Sequence, residues 1–530
     1  MMPVQTTATT PNPTSTSTPQ FNVITRHNIV DKQSLIRSVL DRAHHIAIDC
    51  EFTGLGKGID SKAANIAERY TALSKVATSH AIVSFGLSVF ELLSAPESGN
   101  SSQYEYAVHN FEFIMLSNAP FTVAPDSMLF LVDNGFDFNR QYTDGIFYWP
   151  GNDKEMNDLT DTNVVMRNIF LHLLSRNVPV VVHNGLLDLL FMYNALFAGL
   201  PKHLETFVAD LEAMFPAGVY DTKYITEYVY KEKSTYLAYL FRKCEREQEA
   251  MRAAGTGRSV ICTIRDRIVF PQSKRWMPPP PPAPPSATTT TESVSNRKRP
   301  RSVSEPLYCA QYASHGYCRN GRYCGKTHDL DVILDAQAAD AAAVGNKKRV
   351  RGSGLQKEED VKVDEGVIEA PLLPASNTCG SGVGDEVNPS QQEPETQEEL
   401  AQPPEAPLPP LEPLPNPASQ HFHSAGFDAY MTGFVFARHF SKFNTPTTTT
   451  SNTKSPQPPP RLLKDAIGNK LYLMGKQIPL LVEKSTFAST SVEFRRKRDS
   501  IIACAREPRG RGVGPDDGVT GDLQKQPAGT

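Results

Sequence analysis

The sequence predicts an α/β domain built on a mixed sheet, interrupted by a long insertion that carries a small metal-binding module. Three observations predict it. Short apolar runs rich in β-branched and aromatic residues alternate with amphipathic runs between about residues 21 and 275. Proline and acidic residues then dominate from about 276 to 418, apart from a compact Cys/His island, and apolar character returns after 419. At 530 residues and 39% hydrophobic composition, the chain is too long for one compact unit and too polar to be core throughout.

The elements follow in order. Residues 1–20 are rich in Thr, Ser and Pro and are expected to be disordered, without the basic start and apolar run of a secretory signal. Residues 44–52 (HHIAIDCEF) read as a short buried strand, and residues 65–76 have helical periodicity. Residues 81–90 and 104–116 read as strands. A helix is expected over 160–174, with Val164, Val165, Ile169, Leu173 and Leu174 on one side. Residues 179–182 read as a strand that turns into a helix over 186–197. The apolar stretch 178–200 has the length of a membrane span, but His183, Asn184, Asp188 and Asn194, with Gly185 as a break, favour the buried strand and helix. No membrane association is expected.

These elements make residues 21–275 the first part of a core. Residues 276–304 form a Pro/Thr-rich linker, almost pure proline over 278–285, hence a stiff spacer. Residues 305–330 form the Cys/His module, 331–418 an acidic, proline-rich linker expected to be disordered, and 419–485 the second part of the core. Residues 486–530 are expected to be a basic, disordered tail. The net charge of -4 conceals basic runs at 297–301, 347–351 and 495–498.

Three short motifs carry the chemistry. Asp49-Cys50-Glu51 ends the first apolar strand, where residues two apart face the same side and can share metal ions. Asn184-Gly185-Leu186-Leu187-Asp188 sits where a strand turns into a helix, a position the helix dipole alone would explain. His423-Ser424-Ala425-Gly426-Phe427-Asp428 puts an imidazole five residues before a carboxylate at the start of another helix. Each is common alone. Together, in this order, they resemble the DEDD exonucleases in their histidine-bearing subclass. Phe130-Leu131 with Gly135-Phe136-Asp137-Phe138-Asn139, Phe215-Pro216 with Tyr220-Asp221-Thr222-Lys223, and the full Asp49-to-Leu55 run resemble signatures of the Caf-type and poly(A)-specific ribonuclease deadenylases.

The resemblance covers about residues 21–245 and 419–485 and implies an RNase H-like DEDD exonuclease fold. It implies a 3′→5′ exoribonuclease that hydrolyses 3′ adenosine tails and releases 5′-AMP. Phosphodiester hydrolysis needs charge stabilised on the attacking and leaving oxygens, which two metals about 4 Å apart achieve, and Mg²⁺ prefers oxygen ligands. By resemblance, Asp49, Glu51 and Asp428 hold one Mg²⁺, Asp49 bridges to a second at Asp188, and His423 is the general base. Asp221 is left open between orienting Lys223, lining the groove and a structural role.

The island Cys309-x8-Cys318-x5-Cys324-x3-His328 offers three thiolates and an imidazole for a closed, structural Zn²⁺ site. Its spacing resembles the CCCH zinc finger, a module that mostly binds single-stranded RNA. It is too small to bury a core, so zinc would supply its folding energy. It is expected to be a separate module. Tyr308, Tyr312, Tyr317 and Tyr323 interleave the ligands, with Arg319, Arg322 and Lys326 nearby, as stacking on unpaired bases requires. One or two of these tyrosines are expected to shield the metal instead, and a protein-binding finger is the alternative.

Arg297, Lys298, Arg299 and Arg301 before the island, and Lys347, Lys348, Arg349 and Arg351 after it, read as nuclear import signals because they stand on a linker, with an extra RNA-phosphate contact as the alternative. A finger on this core resembles the family's nuclear CCCH member. That implies residence in the nucleus (nucleolus, Cajal body or speckles), small nuclear and other noncoding RNAs as substrates, and nuclear RNA-processing proteins as partners. Other readings are a poly(A) mRNA deadenylase, a catalytically inactive RNA-binding adaptor, or a DNA exonuclease.

Overall fold

The computed structural model describes residues 22–56, 63–96, 103–151, 162–255, 257–265, 308–351, 424–443 and 461–506. The chain runs β1 (Asn22–Ile24), α1 (Ile29–Asp41), β2 (His45–Phe52), α2 (Ile66–Ser79), β3 (Ile82–Ser94), β4 (Gln103–Ser117), α3 (Pro125–Asp133), α4 (Phe138–Asp144) and β5 (Ile146–Tyr148). It continues through α5 (Thr162–Ser175), β6 (Val180–Val182), α6 (Leu186–Met192), α7 (Leu204–Met214), β7 (Val219–Asp221), α8 (Thr222–Tyr224), α9 (Leu237–Ala254) and β8 (Ser259–Ile264). After the first linker come α10 (Ala310–His315) and α11 (Leu330–Arg351), and after the second α12 (Ala425–Phe443), α13 (Arg461–Ile467), β9 (Lys470–Leu471), β10 (Leu480–Leu481) and α14 (Val492–Arg506).

The sheet is mixed, in the order β1-β4-β3-β2-β6-β7-β9-β10, with β5 and β8 also paired to β4. Strands β4, β3 and β2 are antiparallel neighbours, while β6 and β7 continue parallel to β2. This is the RNase H-like arrangement that the sequence resemblance implies.

Period-two alternation sorts the two faces. Ile46, Ile48, Cys50 and Phe52 of β2 join the cluster formed with α1, α2, α5, α6 and α7, whereas Ala47 joins the cluster formed with α9 and α12. Asp49 and Glu51 share the parity of Ala47, so they belong to the α12 face. Helix α12 is buried nearly all round, from Ala425 to Ser441, as expected of a helix laid across the centre of a sheet.

Three expectations need correction. The helix over 186–197 is α-helical only to Met192, then widens into a π-turn over Tyr193–Phe197. There the Tyr193 hydroxyl donates to Asp210 at 2.7 Å and the Asn194 amide to the Ala77 carbonyl at 3.0 Å. The tail expected to be disordered from 486 contains α14. The Ser491 Oγ accepts the Phe494 N–H at 3.0 Å and caps this helix. Phe494 is buried in the core, and Arg176 donates to the Cys504 carbonyl. The linker expected to be disordered from 331 begins as α11, started by the Asp329 carboxylate accepting the Asp331 N–H at 2.8 Å.

The described residues up to 337 and from 424 onward belong to one compact unit, and the end of α11, from 338, to a second. The finger thus belongs to the unit that holds the sheet, which corrects the expectation of a separate module. Among the described residues, no helix is long and apolar enough to cross a membrane.

Candidate metal-dependent active site

Strand β2 delivers Asp49 and Glu51 to one face, and the first turn of α12 delivers Asp428. One carboxylate oxygen from each of the three lies within 4.8 Å of the others. The approach depends on Gly86. It stands opposite Asp49 on β3, and a Cβ there would fall 1.9 Å from the Ala425 carbonyl oxygen. Only a bare backbone lets the start of α12 come so close. Ser424 opens the helix, its Oγ accepting the Phe427 N–H at 3.3 Å. The N-terminal end of the helix dipole then favours the Asp428 carboxylate.

Asp188 arrives from the other side, in the first turn of α6, and its Oδ1 accepts the Cys50 N–H at 3.0 Å. This bond ties α6 to β2 between the two acidic residues. The turn before α6 is held by Asp221, whose wholly buried carboxylate accepts the N–H of Asn184 at 2.8 Å, of Lys223 at 2.9 Å and of Tyr472 at 2.9 Å. Asn184 has a left-handed φ of 57°, so the turn needs such an anchor. Asp221 therefore fastens β7, the α6 turn and β9 together. It is fully buried and does not line a groove.

The electrostatics favour a cation. Burial raises the Asp49 carboxyl well above the usual range, and Asp188, Asp428 and Glu51 raise it further. Burial also raises Glu51, with Asp428, Asp188 and Glu112 adding to the effect. Asp188 is pushed up to about 7, chiefly by burial. Clustered carboxylates in a buried setting repel, and a divalent cation relieves both burial and repulsion. The donor set, all carboxylate oxygen, suits Mg²⁺. Glu112 on β4, a partly buried residue that no sequence motif marks, receives the Ser84 hydroxyl at 3.2 Å, and desolvation of its carboxyl raises it.

The finger supplies a second donor set. Ligand atoms of Cys309, Cys318, Cys324 and His328 all lie within 4.8 Å of one another. The Tyr312 N–H donates to Cys309 Sγ at 3.5 Å, which favours the thiolate. His328 Nε2 is buried with no hydrogen-bond partner among the described residues, as a nitrogen reserved for a metal would be. Three sulfurs and one imidazole at this spacing fit zinc. The tyrosines divide. Tyr312 stacks on the His328 ring at 4.3 Å and Tyr308 is partly buried, whereas Tyr317 and Tyr323 are 64% and 78% exposed.

A family model described as CAF1 family ribonuclease matches residues 24–161 and 151–436. The chain belongs to the CAF1 ribonuclease family. Curated relatives include an uncharacterized Schizosaccharomyces pombe protein, 28% identical over 23% of this chain and 29% of that protein. Another is the poly(A)-specific ribonuclease of Xenopus laevis, 29% identical over 24% of this chain and 21% of its own length. The matched segment thus spans under a third of each relative. Among solved structures, Mg²⁺- and Mn²⁺-bound S. pombe Pop2p is 20% identical, over 43% of this chain and 83% of its own, at TM-score 0.32. The RNase domain of yeast Pop2 is 16% identical, over 42% of this chain and 76% of its own, at TM-score 0.31.

Not every expected site residue of this family member is described. His423 lies just outside the described residues, directly before Ser424. Arg297, Lys298, Arg299 and Arg301 also lie outside them. Lys347, Lys348, Arg349 and Arg351 fall on the backbone of the last turns of α11, with side chains beyond those described. Arg322 follows Gly321 in a short helical turn, and its side chain is likewise not described.

Proposed function

We propose that this chain is a divalent-metal-dependent 3′→5′ exoribonuclease that removes adenosines from RNA 3′ ends. The observation that carries the reading is the convergence of Asp49, Glu51 and Asp428 within 4.8 Å, at the end of one strand and the start of the helix crossing it. Membership of a ribonuclease family supports hydrolysis of RNA. The name of the frog relative, a poly(A)-specific ribonuclease, supports adenosine as the base removed.

Asp49, Glu51 and Asp428 would hold one Mg²⁺, with Asp49 shared toward a second at Asp188. Bound there, the ions would stabilise charge on the attacking and leaving oxygens of the phosphodiester. The protein's own residues do the rest. Cys50 fixes Asp188 through its amide, Gly86 lets Asp428 close on β2, and Asp221 holds the α6 turn rigid. His423 is the general base toward the attacking water. The finger, with zinc on Cys309, Cys318, Cys324 and His328, offers exposed Tyr317 and Tyr323 beside Arg319 and Lys326 to unpaired bases and phosphates. The basic runs at 297–301 and 347–351 support action in the nucleus, and the finger on this core supports small nuclear and other noncoding RNAs as substrates.

The test is release of 5′-AMP from a labelled oligo(A) by purified protein. Wild type should trim with Mg²⁺ and stop with a chelator, and oligo(dA) should be a poor substrate. Asp49→Ala should lose essentially all activity while the protein stays folded. Undiminished trimming by Asp49→Ala, or none by wild type with Mg²⁺, would overturn the reading.

A further inference from the structure

The finger is not tethered to the core but built onto it, and the contact leads back toward the carboxylates. Its outer edge is held by α9. Arg242 grips the Asp331 carboxylate with two nitrogens, at 2.9 and 3.1 Å. Arg246 reaches both Asp331, at 3.3 Å, and Asp335. The Tyr239 hydroxyl donates to Gln337 at 2.7 Å, and Ile333, fully buried, joins the apolar cluster of α9 and α12. A forked arginine–carboxylate pair holds orientation as well as position.

Its inner edge meets Ser234 and Tyr236, the residues on either side of Thr235. The Ser234 hydroxyl donates to the Ala313 carbonyl at 2.5 Å, midway between zinc ligands Cys309 and Cys318. Tyr236 meets the Tyr312 ring edge-on at 6.0 Å, and Tyr312 is the ring stacked on His328. Gly316, at φ 69°, fits against Tyr236 so closely that a Cβ would stand 2.6 Å from that ring. The residue between them, Thr235, faces the catalytic side. It receives the Lys223 ammonium at its carbonyl, 3.1 Å, and at its hydroxyl, 2.6 Å. The partly buried His183 ring meets the Thr222 hydroxyl through its Nδ1 at 2.9 Å. His183 begins the turn to Asp188, and Lys223 gives its N–H to Asp221, the anchor of that turn.

We propose that Ser234, Thr235 and Tyr236 are a positioning bridge through which the zinc-loaded finger holds the α6 turn, and with it Asp188, in its working place. The finger would then be needed for catalysis itself, even on an RNA too short to touch its exposed tyrosines. The physical reason is the small size of the finger. Without zinc it has few buried residues of its own to keep Ala313, Tyr312 and Gly316 in register. Its loss would free Ser234 and Tyr236, and Thr235 would no longer fix Lys223 from the far side. The inference about catalysis rests on the exoribonuclease reading, whereas the mechanical bridge does not.

The experiment follows amide hydrogen exchange without RNA, together with turnover of a triadenylate, in the full-length protein. Cys318→Ser removes a ligand. Asp331→Ala combined with Asp335→Ala loosens the docking but keeps all four ligands, which metal analysis verifies as one zinc per chain. In both, amides over 222–236 should exchange at least about tenfold faster, along with those of the finger. The kcat on triadenylate should fall about tenfold or more, and KM should change less, since the lost quantity is alignment of a catalytic group. Asp331→Glu with Asp335→Glu should restore most of both. Faster exchange confined to 308–337, with kcat on triadenylate unchanged in both variants, would overturn the bridge. If wild type does not turn over triadenylate, the exoribonuclease reading fails, and the exchange pattern still decides whether the bridge exists.

Discussion

A methyl group at Gly86 would stand 1.9 Å from the Ala425 carbonyl oxygen. The backbones of β3 and α12 cannot both keep their places around it, and the start of α12 carries Asp428. Gly86→Ala should therefore move Asp428 away from Asp49 and Glu51. A displacement near 1 Å can cost on the order of 10²-fold in rate. We expect kcat on oligo(A) to fall at least about tenfold, with Mg²⁺ required at higher concentration. Wild-type kinetics in Gly86→Ala would show that this contact does not set the site. The pair Asp49 and Glu51 was legible in the sequence, because strand periodicity alone puts alternate residues on one face. Gly86, Glu112 and the anchoring role of Asp221 were not. Their importance comes from register between distant strands and from which amides happen to converge, and no local pattern marks either.

At the scale of elements, α14 shows how a charged run misleads. Residues 495–498 are all basic, and a basic stretch followed by Gly and Pro reads as a tail. Arg495, Arg496 and Arg498 lie on the solvent side of a helix whose other face buries Phe494 and brings Lys497 over the Phe197 ring, with Ile501 packed partly against the core. Phe494 meets Phe197 at 6.1 Å, so α14 covers the π-turn. Truncating a buried phenylalanine costs about 3 kcal/mol or more, depending on how far the site collapses. Phe494→Ala should lower the urea midpoint of unfolding accordingly. A change under about 0.5 kcal/mol, the size of a surface substitution, would show that α14 only rests on the core. The helix over 162–175 was readable because its periodicity is long, and the strands β3 and β4 because they are long runs rich in β-branched and aromatic residues. The π-turn was not, since it is set by partners on α2 and α7.

For the molecule as a whole, pH should act through the layer between β2 and α12. His44 and His45 lie there among Phe90, Tyr106, Phe436 and Phe440. Burial pushes His44 down to about 4, and it lowers His45 well below the usual range, with His44 adding to the effect. An imidazole whose folded value lies below its unfolded value is protonated more readily in the unfolded chain. Its contribution is therefore complete above about pH 6.5 and is lost as pH falls toward 4. For His44 alone the loss approaches about 3 kcal/mol at the acid end. His44→Phe, which keeps an aromatic ring in an aromatic site, should flatten that acid slope. Urea unfolding from pH 7.5 to 4 in both proteins measures it, and parallel slopes would show that His44 is not the group that titrates.

The sequence by itself determined the α/β class, the order of the three acidic motifs, the spacing of the Cys/His cluster and the interruption of the core. Each is written in local terms, as periodicity, spacing or composition. Only the tertiary structure decided that Asp428 meets Asp49 and Glu51, that Asp221 is an anchor, that α14 belongs to the core and that the finger is joined to it. These depend on strand register and on contacts between residues far apart in the chain. Arg242 and Asp331, for example, are separated by the whole proline-rich linker yet form one forked ion pair. A linker's composition shows that it is not core, but it says nothing about where the folded pieces at its two ends come to rest.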